Sequence, residues 1–97
     1  MSNIDWSQLI TKEMKDAAQA AWLLAEQVTR EIAWRGAELL IVARQLEAIE
    51  EDEADETPPD LLPGTRKQWL KYRGLVSNWK EGAEGFPELT NRPVRPV

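Results

Sequence analysis

An uninterrupted stretch without proline is the feature that most limits what this chain can fold into. The first proline of the 97-residue sequence is Pro58, and apolar side chains upstream of it recur at alternating steps of four and three residues. That spacing keeps them on one face of an α-helix, along a seam that faces a partner helix. We therefore predict one long helix over residues 12–51, with Thr11 as its N-cap.

The part of this seam that we expect to form an oligomer interface runs from Val28 to Ile49 and is broken once, at Arg35. Its members are Val28, Ile32, Arg35, Leu39, Val42, Leu46 and Ile49. A short neighbour cannot cover so much apolar surface, so the pattern predicts an oligomer seam, although a partner within the same chain also fits it. Arg35 either reaches Glu31 or Glu38 at the edge or fixes the register of pairing. Gly36 costs about 1 kcal/mol relative to Ala unless a close helix approach uses the missing side chain.

A change of composition separates the long helix from the rest of the chain. Residues 52–64 hold a run of acidic side chains followed by prolines, which is typical of a linker. Residues 65–82 predict a second helix that ends at Gly82 as its C-cap. Its core-facing stripe, at helical spacing, consists of Trp69, Tyr72, Val76 and Trp79. Three further prolines exclude regular structure from residues 83–97, which we predict to be an extended tail.

Charge is distributed unevenly along the sequence. Residues 1–63 carry five basic and fourteen acidic side chains, whereas residues 64–97 carry seven basic and three acidic ones. The two parts therefore attract each other. We expect the tail to be anchored by Phe86, Leu89 and Val94, and by the stacking of Arg92 or Arg95 on a tryptophan.

Together these segments predict a single all-α domain over residues 1–97. It consists of an N-terminal segment at 1–11, a long helix, a shorter helix that folds back as a helical hairpin, and an extended proline-containing tail. We expect this hairpin to form a homo-oligomer through the heptad seam.

The composition leaves little chemistry for catalysis. The sequence contains no Cys and no His, which excludes thiolate and imidazole metal sites as well as Ser-His and Cys-His catalysis. The acidic run from Asp52 to Glu56 fits a solvated linker better than a catalytic carboxylate pair, and Thr57 stands where a calcium loop requires Gly. We therefore predict no catalytic residue, no cofactor and no metal site, and a protein that is not an enzyme.

Nucleic acid and membranes are disfavoured as partners. The net charge is -5, and although four basic side chains between 66 and 73 surround Trp69 and Tyr72, that aromatic pair is spaced for core packing. The most apolar segment, residues 20–25, is far shorter than the roughly 20 residues of a membrane span. No targeting segment follows Met1, so we expect a cytoplasmic location.

The second half of the chain carries a more specific pattern. Trp69-Leu70-Lys71-Tyr72-Arg73-Gly74-Leu75 is followed by Gly85-Phe86-Pro87 and then by Asn91-Arg92-Pro93-Val94-Arg95-Pro96. In this order the motifs resemble the C-terminal pattern of tailed-phage tail fibre assembly proteins and short phage tail assembly chaperones. The opening Ile4–Thr11 and the alanine-rich first helix are similar to the segment that precedes it. Arg92 departs from the pattern, because the family usually has Trp there.

The resemblance implies a noncatalytic phage or prophage protein that binds a tail fibre or another tail protein and aids its folding, oligomerisation or attachment. The residues that carry the pattern, and are candidate partner contacts, are Trp69, Tyr72, Arg73, Phe86, Pro87, Arg92, Pro93 and Pro96. Structural roles for the aromatic residues fit equally well. The implied location is the bacterial host cytoplasm or the virion. The alternative is a cytoplasmic coiled-coil adaptor unrelated to phage, with the acidic linker and basic tail as docking segments.

Overall fold

A computed structural model of the chain describes residues 12–97, which form two helices and a folded tail. The helices are α1 (Lys12–Glu53) and α2 (Arg66–Ser77), and a short 3-10 helix lies at Leu89–Asn91. No strand occurs in this part of the chain, so the predicted all-α helical hairpin is confirmed. The predicted N-terminal segment, with the Thr11 cap and the motif at residues 4–11, lies outside the described residues.

α1 is a single helix of 42 residues, about 63 Å long at 1.5 Å per residue. It ends two residues beyond the predicted end because its last turn is closed by a left-handed residue. Asp55 has φ 64°, and the Glu56 N–H donates to the Glu51 carbonyl at 2.8 Å. Arg66, at the start of α2, donates to Glu53 at 3.0 Å and places a cation near the acidic end of α1.

α2 begins at a capping box. The Thr65 hydroxyl accepts from the Gln68 backbone N–H at 3.2 Å, and the Gln68 side-chain oxygen accepts from the Thr65 N–H at 2.8 Å. Two backbone donors that the first helical turn leaves unsatisfied are thereby paired.

α2 ends at Ser77, so the predicted extension to residue 82 and the predicted C-cap at Gly82 are wrong. Asn78 ends the helix instead. Its backbone and side-chain N–H groups both donate to the Gly74 carbonyl, at 3.1 and 3.0 Å. The chain then turns, which allows the Trp79 ring to be buried. When an asparagine side chain can donate to a helix carbonyl, an end of the helix at that residue competes well with a longer helix.

α2 packs antiparallel on the second half of α1. The buried apolar residues of this interface are Val42, Ala48, Ile49, Trp69, Tyr72, Val76 and Trp79, which confirms the predicted stripe of α2. Trp69 and Tyr72 meet edge to face with ring centroids 5.8 Å apart, an arrangement that aromatic quadrupoles favour. Because both rings are buried, they cannot form the exposed aromatic part of a nucleic-acid patch.

The chain itself covers most of the predicted oligomer seam. The covered members are Leu39, Val42, Leu46 and Ile49, which lie in or against the core beside α2. These positions face an intramolecular partner and are not available to a second copy while the hairpin is closed. Val28 and Arg35 are half-buried, and Ile32 is 48% exposed.

The tail turns back and runs along α1 beside α2. Phe86 packs edge to face on Trp79 at 5.2 Å, as expected, but Leu89 and Val94 are exposed and do not anchor the tail. Arginines from the tail occupy the face of α1 instead, as described below. Further along, Pro96 lies close to Gly64, so the end of the tail meets the start of α2.

Gly64 and Gly36 differ in whether the fold leaves room for a side chain at their position. Gly64 has φ +123°, and a Cβ there would lie 2.7 Å from both Trp69 Nε1 and Pro96 Cβ, whereas a Cβ at Gly36 would meet nothing within 4 Å. We predict that Gly64→Ala lowers the free energy of unfolding by about 1–3 kcal/mol. Gly36→Ala should raise it by about 0.5–1 kcal/mol. Urea denaturation measures both, and a destabilised Gly36→Ala would mean that a close helix approach uses this glycine.

Candidate functional site

Three buried polar residues stand seven positions apart on α1. They are Glu31, Glu38 and Gln45, and we call them the polar row. Seven residues are nearly two helical turns, so the three side chains lie one above the other on the face that meets α2 and the tail. Each of them holds a later segment of the chain in place.

Gln45 holds the linker. Its side-chain nitrogen donates to the Asp60 carbonyl at 3.0 Å, and its side-chain oxygen accepts from the Leu62 N–H at 2.8 Å. Beside it, Arg44 Nε donates to the Asp60 carboxylate at 2.7 Å. The end of the predicted linker is therefore part of the folded unit.

Glu38 joins α2 and the tail. It accepts from the Tyr72 hydroxyl at 2.7 Å and from Arg95 Nη2 at 3.0 Å. The hydrogen bond from Arg95 is the main cause that lowers the pKa of Glu38, against the opposing effect of burial. Burial, and then the neighbouring carboxylate, raise the pKa of Tyr72, so its hydroxyl remains a donor.

Glu31 receives the largest number of donors. Arg92 binds it with two nitrogens, Nε at 2.6 Å and Nη2 at 2.7 Å, while Trp79 Nε1 donates at 3.1 Å and Arg30 Nε at 2.8 Å. The hydrogen bond from Arg92 is the largest cause that lowers the pKa of Glu31 to about 2, although burial opposes it. A buried carboxylate is tolerated here because its oxygens are fully engaged by donors.

Arg92 also stacks on an aromatic ring. Its guanidinium carbon lies 4.8 Å from the centroid of Trp34, within the range of a cation–π contact. The predicted stacking of a tail arginine is confirmed. The residue that departs from the family pattern is thus bound by Glu31 and by Trp34, and it fastens the tail to α1.

The spacing of the two tail arginines matches the spacing of the two glutamates. Glu31 and Glu38 are about 10.5 Å apart along the helix, at 1.5 Å per residue. Arg92 and Arg95 are three residues apart, which is about 10 Å in an extended chain. A Pro follows each arginine and favours that extended backbone. The tail can therefore satisfy both carboxylates without distortion.

Arg35 does not bind Glu31 or Glu38, so the expected edge contact is wrong. Both carboxylates are occupied by tail arginines, and Arg35 Nη1 donates to the Trp79 carbonyl at 3.0 Å. Arg35 therefore ties the turn after α2 to α1.

Most residues of the family pattern have structural roles in this chain. Trp69 and Tyr72 are in the core, Phe86 packs on Trp79 and precedes a cis Pro87, Arg92 binds Glu31, and Pro93 and Pro96 are half-buried. Arg73 alone among them is exposed on α2. The polar row was not predicted, although the spacing of seven between Glu31, Glu38 and Gln45 was a usable signal.

The polar row holds the chain together. Within residues 12–97 every buried polar side-chain atom has a hydrogen-bond partner, and no cluster of His, Cys, Asp or Glu could hold a metal ion. In the same part of the chain no helix is both long and apolar enough to span a bilayer.

An open groove lies where the covered part of α1 begins. It encloses about 390 Å³ and is lined by Val28, Ile32, Arg35, Lys80, Glu81 and Phe86. Three apolar side chains form its lining, and charged side chains of both signs stand beside them. Such an arrangement can take up an apolar side chain of a partner and orient its polar neighbours.

Comparison of this chain with protein-family models, with curated proteins and with solved structures gave no match. The resemblance to tail assembly proteins therefore depends on the quoted motifs alone.

Acid should weaken the contact between Glu31 and the tail. The folded-state pKa of about 2 lies below the ordinary 4.5, so the stabilisation is complete above about pH 4.5 and is lost as the pH falls towards about 2. We predict that Glu31→Gln loses about 1.5–3 kcal/mol at pH 6 and shows a flatter decline between pH 4.5 and 2. Urea denaturation across this range measures it. Glu84→Gln, at an exposed position of the tail, is the control; parallel curves for wild type and Glu31→Gln would contradict the prediction.

Proposed function

We propose that this protein is a noncatalytic assembly factor of a tailed phage or prophage. It binds a tail fibre or another tail component in the open groove and aids its folding, oligomerisation or attachment. The observation that carries the proposal is the exposed Ile32, which lies with Val28 and Phe86 in a groove that the chain leaves open. The motifs from Trp69 to Pro96, which resemble those of tail assembly proteins, supply the identity of the client.

The groove suits transient protection of an apolar segment. Full burial of one Leu- or Phe-sized side chain contributes about 1.5–3 kcal/mol, which supports reversible binding when only a few such side chains are involved. Phe86 of the lining packs on Trp79, which Glu31 and Arg35 hold in place, so little ordering is needed when a client binds. Reversibility allows the client to leave once its own subunits have assembled.

A cytoplasmic adaptor unrelated to phage is the second candidate. The observation that favours it is the long exposed part of α1 before Gln27, which can present a helix to another protein. Docking through the basic tail is a poor fit, because Arg92 and Arg95 are engaged by Glu31 and Glu38. A fibre gene directly upstream would favour the assembly factor, and a pull-down that recovers only host proteins would favour the adaptor.

The groove can be tested by coexpression with the tail fibre. We predict that wild-type protein raises the yield of soluble, trimeric fibre. Ile32→Glu should weaken fibre binding by about tenfold, because it places a charge among the apolar lining. Leu40→Glu is the matched control, since Leu40 is on the same helix, is 74% exposed and does not line the groove. Fibre yield that is the same with and without the protein would refute the proposed function.

A further inference from the structure

The N-terminal part of α1 is not covered by α2 or the tail. Residues 12–26, which we call the arm, are all exposed, including Trp22 at 58% and Leu24 at 51%. Among the described residues, α2 and the tail begin to cover the helix at Gln27. Because most helical stability in proteins comes from packing of the apolar face, an arm of this composition calls for a partner.

We propose that the arm is a dimer interface, in which it pairs antiparallel with the arm of a second copy of this chain. On a helix, Ala18, Ala21 and Ala25 share one face, and Trp22 and Leu24 flank that face on opposite sides. When Ala18 of one copy lies opposite Ala21 of the other, Leu24 of each copy lies over Ala17 of the other. The large Leu24 side chain of each copy thus packs on the small Ala17 side chain of the other, as close packing requires.

The charges of the arm fit the same alignment. Lys15 and Glu26 lie on the flank of the helix that carries Trp22, and the antiparallel pair places Lys15 of each copy beside Glu26 of the other. Because the dimer has two-fold symmetry, this ion pair forms twice. A parallel pair would instead bring identical residues to the same level and would align the two helix dipoles unfavourably.

The arm favours a copy of itself over other occupants. It carries two basic side chains and three acidic ones, so it presents neither the basic stripe of a nucleic-acid binder nor the basic polar face of a membrane-surface helix. Its own residues supply both the sizes and the charges that complement it. Further along α1, the seam from Leu39 onward is already covered, whereas the seam positions of the arm are exposed.

Measurement of mass in solution tests the dimer. We expect the full chain at micromolar concentration to sediment with twice its mass of 11.1 kDa. Ala21→Glu should raise the Kd by about a hundredfold, because it places a charge in the helix interface. Leu23→Glu introduces the same residue on the opposite face of the helix and should leave the Kd unchanged. A monomeric wild type, or equal Kd values for the two variants, would overturn the proposal.

Disulfide cross-linking tests the orientation, since the chain has no cysteine of its own. A mixture of Ala18→Cys and Ala21→Cys chains should form a mixed cross-link on oxidation, because these positions face each other. Each variant alone should cross-link poorly, because its two cysteines are offset along the axis. Efficient cross-linking of each variant with itself, and not in the mixture, would indicate a parallel pair and overturn the antiparallel one.

Charge reversal tests the register. Lys15→Glu should raise the Kd by about two- to thirtyfold, and a second change, Glu26→Lys, should restore it, because exposed ion pairs are of modest strength and occur twice. Failure of the second change to restore the Kd would contradict this register. The dimer does not depend on the proposed function, because Ile32 lies outside the arm. Ile32→Glu should therefore remain a dimer while it loses the fibre.

Discussion

Two buried carboxylates control how this chain closes. Burial of Glu31 and Glu38 on a helix is unfavourable unless donors replace the water that they lose. Arg92 and Arg95 supply most of those donors, and Trp79, Tyr72 and Arg30 supply the rest. The tail is therefore required for the hairpin to bury these two carboxylates. Without it, the face of α1 on which α2 rests would expose two carboxylates at the edge of an apolar core.

The polar row also gives the fold a register that its small core would not define alone. Apolar contacts allow one helix to shift along the other, whereas each member of the polar row can bind its hydrogen-bond partners at only one position along the helix axis. Gln45 binds the linker, Glu38 binds Tyr72 with Arg95, and Glu31 binds Trp79 with Arg92. Along α1, Glu31 and Glu38 meet Trp79 and then Tyr72, in reverse chain order, but Arg92 and then Arg95, in forward order. The row therefore specifies an antiparallel α2 and a parallel tail together.

Sequence periodicity was sufficient for the helices but not for the contacts that lock them. Proline placement and apolar spacing predict α1 and the stripe from Trp69 to Trp79. Apolar spacing does not reveal Glu31 and Glu38, because a charged residue is normally assigned to a solvated face. The end of α2 was predicted incorrectly for a related reason. Glycine is a common C-cap residue and indicates Gly82, whereas Asn78, four residues before Gly82, ends the helix by donating to the Gly74 carbonyl.

The direction of the tail determines which part of α1 remains open. From the turn at Phe86 the chain meets Glu31 first, then Glu38, and finally the region of Gly64, so it moves steadily away from the N-terminus of α1. α2 approaches in the opposite direction but ends at Ser77, and Trp79 has already reached the level of Glu31. Neither segment has residues left to extend over the arm. The direction of α2 and the tail therefore carries both segments away from Trp22 and Leu24, which remain exposed.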